Sequence, residues 1–268
     1  MRVKYVFVAM MAALILAASS ACGGEAEELA VFAAASLTGA FSEIGELYED
    51  RTDIEVSINF DGSQALRTQL ENGAYADVFA SANNMQMNAL KDSWMMNNSS
   101  IVNFAGNRIS LIIPKHNPGG IRNLTDLARP GVKIVMGTKD VPVGDYALQV
   151  IARMGRDPQF GPDYEEQVLA NVISQETNVN YVVTKVALGE ADAGFAYESD
   201  ILQDMTARVD KIDIPDEYNI VARYPVGILL QSKYPAESQE FIDLVLSDDG
   251  RRILKRYGFT APENESVL

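Results

Sequence analysis

Four short turns in this chain place hydrogen-bond donors where helices would begin: Ala35-Ser36-Leu37-Thr38, Asp61-Gly62-Ser63-Gln64, Pro142-Val143-Gly144-Asp145 and Gln175-Glu176-Thr177-Asn178-Val179. The first turn of a helix leaves backbone N–H groups without an intrahelical acceptor, and the hydroxyls of Ser36 and Ser63 add further donors. Each helix start acts toward an anion as about +0.5 charge, so four aimed at one point would offer about +2, the complement of a dianion. Any one of these turns alone reads as an ordinary capped helix. Only the set, joined by the Tyr197 hydroxyl at the end of a short apolar run, points to a ligand.

Three carboxylates flank these turns. Asp61 precedes Gly62, Asp145 follows Gly144, and Glu198 follows Tyr197. Hydrogen phosphate keeps a proton and is best recognised by an acceptor carboxylate, whereas a fully deprotonated dianion has none to give and suits a site made of donors. The sequence leaves open whether Asp61, Asp145 or Glu198 joins such a site; Glu198 is expected to be solvated. The alternative chemistry is an exported serine hydrolase using Ser36 or Ser63. It lacks a GxSxG elbow, and its base would have to be His116, in the turn-like Lys115-His116-Asn117-Pro118-Gly119-Gly120. A ferric site would need several Tyr, His or carboxylate ligands together, and only Tyr197 is an obvious one. No catalytic residue, cofactor or resident metal is assigned.

Composition narrows the field further. The 268 residues, 47% of them hydrophobic and 22% charged, suit one large globular unit or two lobes. Acidic residues number 37 against 22 basic, a net charge of −15 that excludes the basic footprint of a nucleic-acid partner. One Cys and one His exclude zinc fingers, a disulfide framework and any two-His metal site. Residues 1–21 carry Arg2 and Lys4, an apolar Ala-rich run and then Ser19, Ser20 and Ala21, the pattern of an export signal. Its removal takes away two positive charges and leaves −17. The only cysteine, Cys22, follows at once in Ala21-Cys22-Gly23-Gly24 and resembles a lipoprotein attachment site, with residues 22–28 as an acidic, lipid-anchored linker. Ser19 stands where bacterial lipoproteins usually have Leu. The expected location is outside the cell, at the outer face of the cytoplasmic membrane or in the periplasm, with the anchor as the sole membrane contact.

The elements that would hold these turns alternate strand and helix. An apolar run over 29–34 leads into Leu37, Phe41, Ile44 and Tyr48 at helical spacing, and 54–60 alternates at period two before a helix over 65–70. A strand over 77–82, a Met-rich helix over 85–96, a strand over 109–114, a short helix over 124–128 and a strand over 133–137 follow. A helix through Leu148, Ile151 and Met154, a loop over 155–162, and a helix carrying Val179, Val182, Val183 and Val186 come next. Strands over 193–197 and 225–231 and one helix over 236–257 complete the chain. Alternation throughout predicts an α/β fold of parallel sheets covered on both faces, and ligands of such sheets bind beyond the carboxyl ends of the strands.

Certain segments also carry a family pattern: Val31-Phe-Ala-Ala-Ala-Ser-Leu-Thr38, Leu66 to Glu71 followed by Gly73 to Phe79 and Ser81-Ala82, Pro142 to Tyr146, Gly194 to Tyr197 with Ser199-Asp200, Tyr224-Pro-Val226, and Lys255-Arg-Tyr-Gly-Phe-Thr260. Collinear over nearly the whole mature chain, they resemble the molybdate-binding proteins of ABC importers. The resemblance implies a two-lobe, type II periplasmic-binding fold. Each lobe would be a mostly parallel sheet flanked by helices, and the chain would cross between lobes near Phe104 and near Tyr224. Lobe 1 would comprise 29–104 and 225–268, and lobe 2 would comprise 105–224. It further implies that Ser36 and Ser63 hold the oxyanion from one lobe through hydroxyl and backbone donors. Val143 and Val179 would hold it from the other through backbone N–H, with the Tyr197 hydroxyl beside them. The implied ligand is molybdate, with tungstate equally suited and sulfate the alternative. The implied partners are a membrane permease and its ATPase, with the binding protein itself a monomer.

Overall fold

The computed structural model describes residues 28–201 and 205–262. The export signal and Cys22 lie outside the described residues. Of the expected linker, Glu28 already belongs to the first strand.

Strand β1 (Glu28–Ala34) pairs in parallel with β2 (Glu55–Asp61) and β3 (Val78–Ala80), linked by α1 (Thr38–Thr52) and α2 (Ser63–Glu71), with α3 (Asn84–Asp92) after β3. A second parallel set, β5 (Ile134–Gly137) between β6 (Val172–Glu176) and β7 (Ala193–Tyr197), carries α4 (Pro142–Gly155), α5 (Tyr164–Ala170) and α6 (Val179–Ala187). Two long antiparallel strands join the sets. β4 (Val102–Pro114) pairs with β9 (Val221–Ile228) through its first half, then with β7 and β8 (Val209–Asp213) through its second; β9 continues onto β3. The order is β2-β1-β3-β9-β4-β7-β5-β6, with β8 on β4. The chain therefore passes twice between two lobes, on β4 and on β9, and α7 (Pro235–Leu246) and α8 (Asp248–Arg256) return to the first.

Periodicity explains most of this. Phe41, Ile44 and Tyr48 of α1 are buried, and Phe41 and Tyr48 meet Phe241 of α7 at ring distances of 6.0 and 5.6 Å. Val182, Val183 and Val186 give α6 its buried stripe over β5 and β7. At the crossing, Phe104 of β4, Tyr224 of β9 and Phe259 pack edge-on, 6.3 and 5.3 Å apart.

The structure departs from the sequence expectations at definite places. The final helix is two helices. Ser247 accepts the Gly250 N–H and caps α8, and Asp248 and Asp249 suit the new N-terminus. β4 begins seven residues earlier than the apolar run 109–114 suggests, because pairing with β9 carries Asn103, Gly106 and Asn107 into the sheet. The stretch after residue 155 holds not only a loop but α5 and, further on, β6, and β8 is a further strand that the sequence pattern does not announce. Each of these is a short segment whose polar residues mask its period. The Met-rich helix stops at Asp92, where Trp94 takes a left-handed conformation (φ 56°). Met87 and Met96 are core, whereas Met85 is exposed.

Candidate functional site

The expected turns converge. One small cavity between the lobes is lined by Ser36 and the adjoining Ala34 and Ala35, by Gly62 and Ser63, by Val141, Pro142 and Val143, by Asn178 and Val179, and by Tyr197, with Ala82 closing one wall. It sits where β1, β2 and β5 run into their helices, at the carboxyl ends of the parallel strands. All five residues put forward as ligand contacts, Ser36, Ser63, Val143, Val179 and Tyr197, face it. None of the lining residues is Lys, Arg, His, Asp or Glu. The space measures about 10 Å³, the room of about one water-sized sphere.

On the first lobe the donors are hydroxyls, and neither serves as a helix cap. Ser36 lies in a single 3-10 turn, Ala35–Leu37, ahead of α1, and Ser63 is the first residue of α2 behind Gly62; neither Leu37 nor Gly62 at the N-cap offers a side-chain bond. Instead the buried Ser63 Oγ accepts the Ala82 N–H at 3.0 Å, and Ser36 Oγ lies 2.9 Å from the Tyr224 hydroxyl.

On the second lobe the donors are main chain. Pro142 opens α4, a position where its missing N–H costs nothing, and Val143 and Gly144 follow within the first turn, where N–H groups have no intrahelical acceptor. Gly144 is required there: a Cβ would stand 2.0 Å from the Thr138 carbonyl oxygen and 2.4 Å from that of Gly137. Asn178 caps α6 by accepting the Tyr181 N–H (3.3 Å), which sets Val179 as its first residue.

The Tyr197 hydroxyl, fully buried, has no hydrogen-bond partner among the described residues. Its ring stands edge-on to Tyr146 (6.5 Å) and Tyr224 (5.8 Å). Burial, and then the neighbouring Tyr224 and Tyr146, push its phenol well above the ordinary tyrosine range, so it stays protonated and able to donate. The Tyr197 N–H is held by the Asp200 carboxylate at 2.9 Å. Burial drives that carboxyl up to about 7, against the favourable N–H bond. Asp200 faces a second, larger cavity of about 620 Å³ that shares Ala35 and Ser36 with the first.

The flanking carboxylates all point elsewhere. Asp61 Oδ1 accepts the Gly62 N–H (2.7 Å) and the Asn178 amide (2.9 Å), which ties the end of β2 to the cap of α6 across the cleft. Gln64 adds a second tie by donating to the Thr177 carbonyl at 2.7 Å, and Gln86 a third by donating to that of Asp140 at 3.1 Å. Asp145 accepts from Gln149 on its own helix, and Glu198 lies 3.7 Å from Lys211 at the surface. His116 is exposed in the turn after β4 and does not line the cavity. Among the described residues no cluster of His, Cys, Asp and Glu could hold a metal ion. The sequence reading missed Asn178, Gln64 and Tyr224. Asn178 and Gln64 left a signal as members of two of the four turns, and Tyr224 stands in the family pattern at the second crossing.

Two α/β lobes joined by two crossing strands, with helix starts facing each other over a cleft, define a protein that closes on a small solute. Residues 29–260 match the family described as bacterial extracellular solute-binding protein. Among curated relatives, the molybdate-binding protein ModA of Mycobacterium tuberculosis is 34% identical over 266 residues, covering 94% of this chain and 97% of the relative. YvgL of Bacillus subtilis, named as a candidate ABC transporter substrate-binding lipoprotein, is 29% identical over 96% of this chain and 98% of its own. Among solved structures, the periplasmic molybdate-binding protein of Azotobacter vinelandii matches with a TM-score of 0.74 at 21% identity, covering 88% of this chain and 100% of the other. The sulfate-binding protein SubI of M. tuberculosis matches at 0.78 and 16%, covering 89% and 88%. The chain belongs to the bacterial extracellular solute-binding proteins, and its fold is the type II periplasmic-binding fold.

Proposed function

We propose that this protein captures a tetrahedral oxyanion, molybdate or tungstate, outside the cell and delivers it to an ABC importer. One observation carries the reading: four helix starts from two lobes meet at one uncharged cavity that also holds a buried phenol with no hydrogen-bond partner among the described residues. Ser36 and Ser63 bind the anion through O–H and N–H groups, Val143 and Val179 through N–H alone, and Tyr197 through its hydroxyl. A chain of this net negative charge holds a dianion because oriented dipoles, not cations, face it, and they act most strongly in a closed, water-poor cleft. Hydrogen bonds to a charged group contribute about 1.5–3 kcal/mol each, so a handful offsets ordering costs and still leaves micromolar binding or better, about −8 kcal/mol. The ties from Asp61, Gln64 and Gln86 stabilise the closed form around the solute. The lobes divide within β4 and β9, near Phe104 and Tyr224, giving 29–104 with 225–268 and 105–224. The protein acts as a monomeric binding component without catalysis, tethered through a lipid on Cys22 and docking on a permease whose ATPase supplies the energy.

Sulfate is the second reading, favoured by the smallness of the cavity, since a smaller tetrahedron keeps the same donors at shorter range. Titration calorimetry of the mature chain with molybdate, tungstate, sulfate and phosphate separates the two. Molybdate and tungstate should bind at micromolar concentration or tighter and sulfate much more weakly; equal sulfate binding would replace the proposed solute, and no oxyanion binding would remove the reading altogether.

A further inference from the structure

The one tryptophan of the chain, Trp94, stands 82% exposed, more than any other large apolar side chain among the described residues. It follows α3 in a left-handed backbone conformation (φ 56°), which a bulky side chain seldom adopts and a glycine or asparagine takes more readily. Neither packing nor backbone geometry calls for a tryptophan here. Leu230, 61% exposed just past β9, is joined to the same turn, because its N–H donates to the carbonyl of Met95 at 2.8 Å. This end of the first lobe also receives the N-terminal chain. The Leu229 N–H donates to the Asp77 carbonyl at 2.9 Å, and Asp77 Oδ2 accepts the Ala30 N–H of β1 at 2.9 Å. The start of β1 and the Trp94 turn are therefore about three strand spacings apart, roughly 15 Å. Residues 22–27 join β1 to Cys22, and six residues span at most about 20 Å on any course. A lipid on Cys22 thus holds this end of the lobe within about that distance of a bilayer.

We propose that Trp94 and Leu230 form a membrane-contact surface, which seats this end of the first lobe on the lipid surface that the Cys22 anchor enters. The inference rests on the lipid anchor of the proposed function and goes beyond it, since a tether alone leaves the protein's face toward the membrane unspecified. A tryptophan favours the headgroup level of a bilayer, where the ring is buried and the indole N–H stays hydrated. Charge does not drive the contact. Lys91 and Lys233 are exposed at this end, but Asp92 and Glu71 are exposed there too, and the linker is acidic. Two apolar side chains would hold a freely diffusing protein only weakly; the tether makes the contact intramolecular and raises its effective concentration. The oxyanion cleft lies at the opposite, carboxyl ends of β1 and β2, so a lobe seated in this way keeps the cleft clear of the bilayer and open to solute.

Because Trp94 is the only tryptophan, intrinsic fluorescence reads this surface alone. The test compares the lipidated protein, reconstituted in vesicles of phosphatidylethanolamine and phosphatidylglycerol, with the unlipidated mature chain in buffer. On the vesicles the emission should shift to the blue, quenching by acrylamide should fall several-fold, and brominated acyl chains in the same lipids should quench it. A tethered Trp94 as open to acrylamide as in buffer, and untouched by brominated chains, would overturn the inference. Shielding already present in the unlipidated chain without vesicles, and growing with protein concentration, would assign the surface to a second copy and overturn it as well. Leu230→Glu, remote from the ligand contacts, should restore acrylamide access on the vesicles while leaving molybdate affinity within about twofold of the wild type. Unchanged shielding in that variant, with its unfolding temperature preserved, would contradict the seat as drawn. A mass spectrum of the membrane-extracted protein without an acyl group on Cys22 would strike instead at the anchor itself, and the inference would fall with it.

Discussion

The two lobes bring different chemistry to the same cleft. The first supplies hydroxyls: Ser36, 2.9 Å from the Tyr224 hydroxyl, and Ser63, whose oxygen accepts the Ala82 N–H. The second supplies main-chain N–H groups of Val143 and Val179, whose side chains are part of the core. Side-chain donors depend on residue identity, and backbone donors on where the helix starts. The two halves of the site should therefore fail in different ways when substituted.

The sharpest break is expected at Gly144, on the backbone side. Gly144→Ala places a methyl group against two carbonyl oxygens of the β5–α4 turn at 2.0 and 2.4 Å, so the start of α4 must move. Stability should fall by about 3 kcal/mol, and molybdate binding should be lost, as thermal unfolding and calorimetry would show. Next come the hydroxyls: Ser36→Ala and Ser63→Ala should each weaken molybdate binding by about 1–3 kcal/mol. Val143→Ala and Val179→Ala should cost less than about 1 kcal/mol of affinity, because the N–H survives; a loss as large as that of the serines would erase the contrast between the lobes. Asp61→Ala removes a tie between the lobes without touching the solute. It should weaken binding by about 1 kcal/mol by reducing the population of the closed form, and small-angle scattering of the ligand-bound protein should show a shift toward the open shape.

The smallest effect concerns Asp200 behind Tyr197. Its carboxyl is raised from 3.8 to about 7 in the folded protein, chiefly by burial. Between those values the folded state holds a proton that the unfolded chain does not, so the stability contributed is complete below about pH 4 and is lost as the pH rises toward about 7. Asp200→Asn should flatten that part of the stability profile, measured as unfolding temperature against pH. An unchanged slope would mean that the carboxyl is not held up.

Much of the site was legible because it is built from helix starts, which short sequence signals mark: Pro142 before Gly144, Gly62 before Ser63, Asn178 before Val179. The contacts that close the site or stand behind it were not, because their partners lie far along the chain. Asp61 meets Asn178 117 positions away, and Ser36 meets Tyr224 188 away. The fold followed the same rule. Amphipathic α1 and α6 declared themselves by period, whereas the first half of β4, with Asn103, Gly106 and Asn107, is a strand only because β9 lies beside it. The break at Ser247 carried a local signal, a serine followed by two acids and a glycine, but the apolar stripe running through both helices concealed it.

The most direct measurement is a crystal structure of the mature chain with molybdate, with the metal located by its anomalous scattering. The peak should fall between Ser36, Ser63, Val143, Val179 and Tyr197, with the four oxygens met by hydroxyl and N–H donors from both lobes and no carboxylate within contact. A peak in any other cavity, or one with Asp61 or Asp145 bound to the anion, would contradict the account.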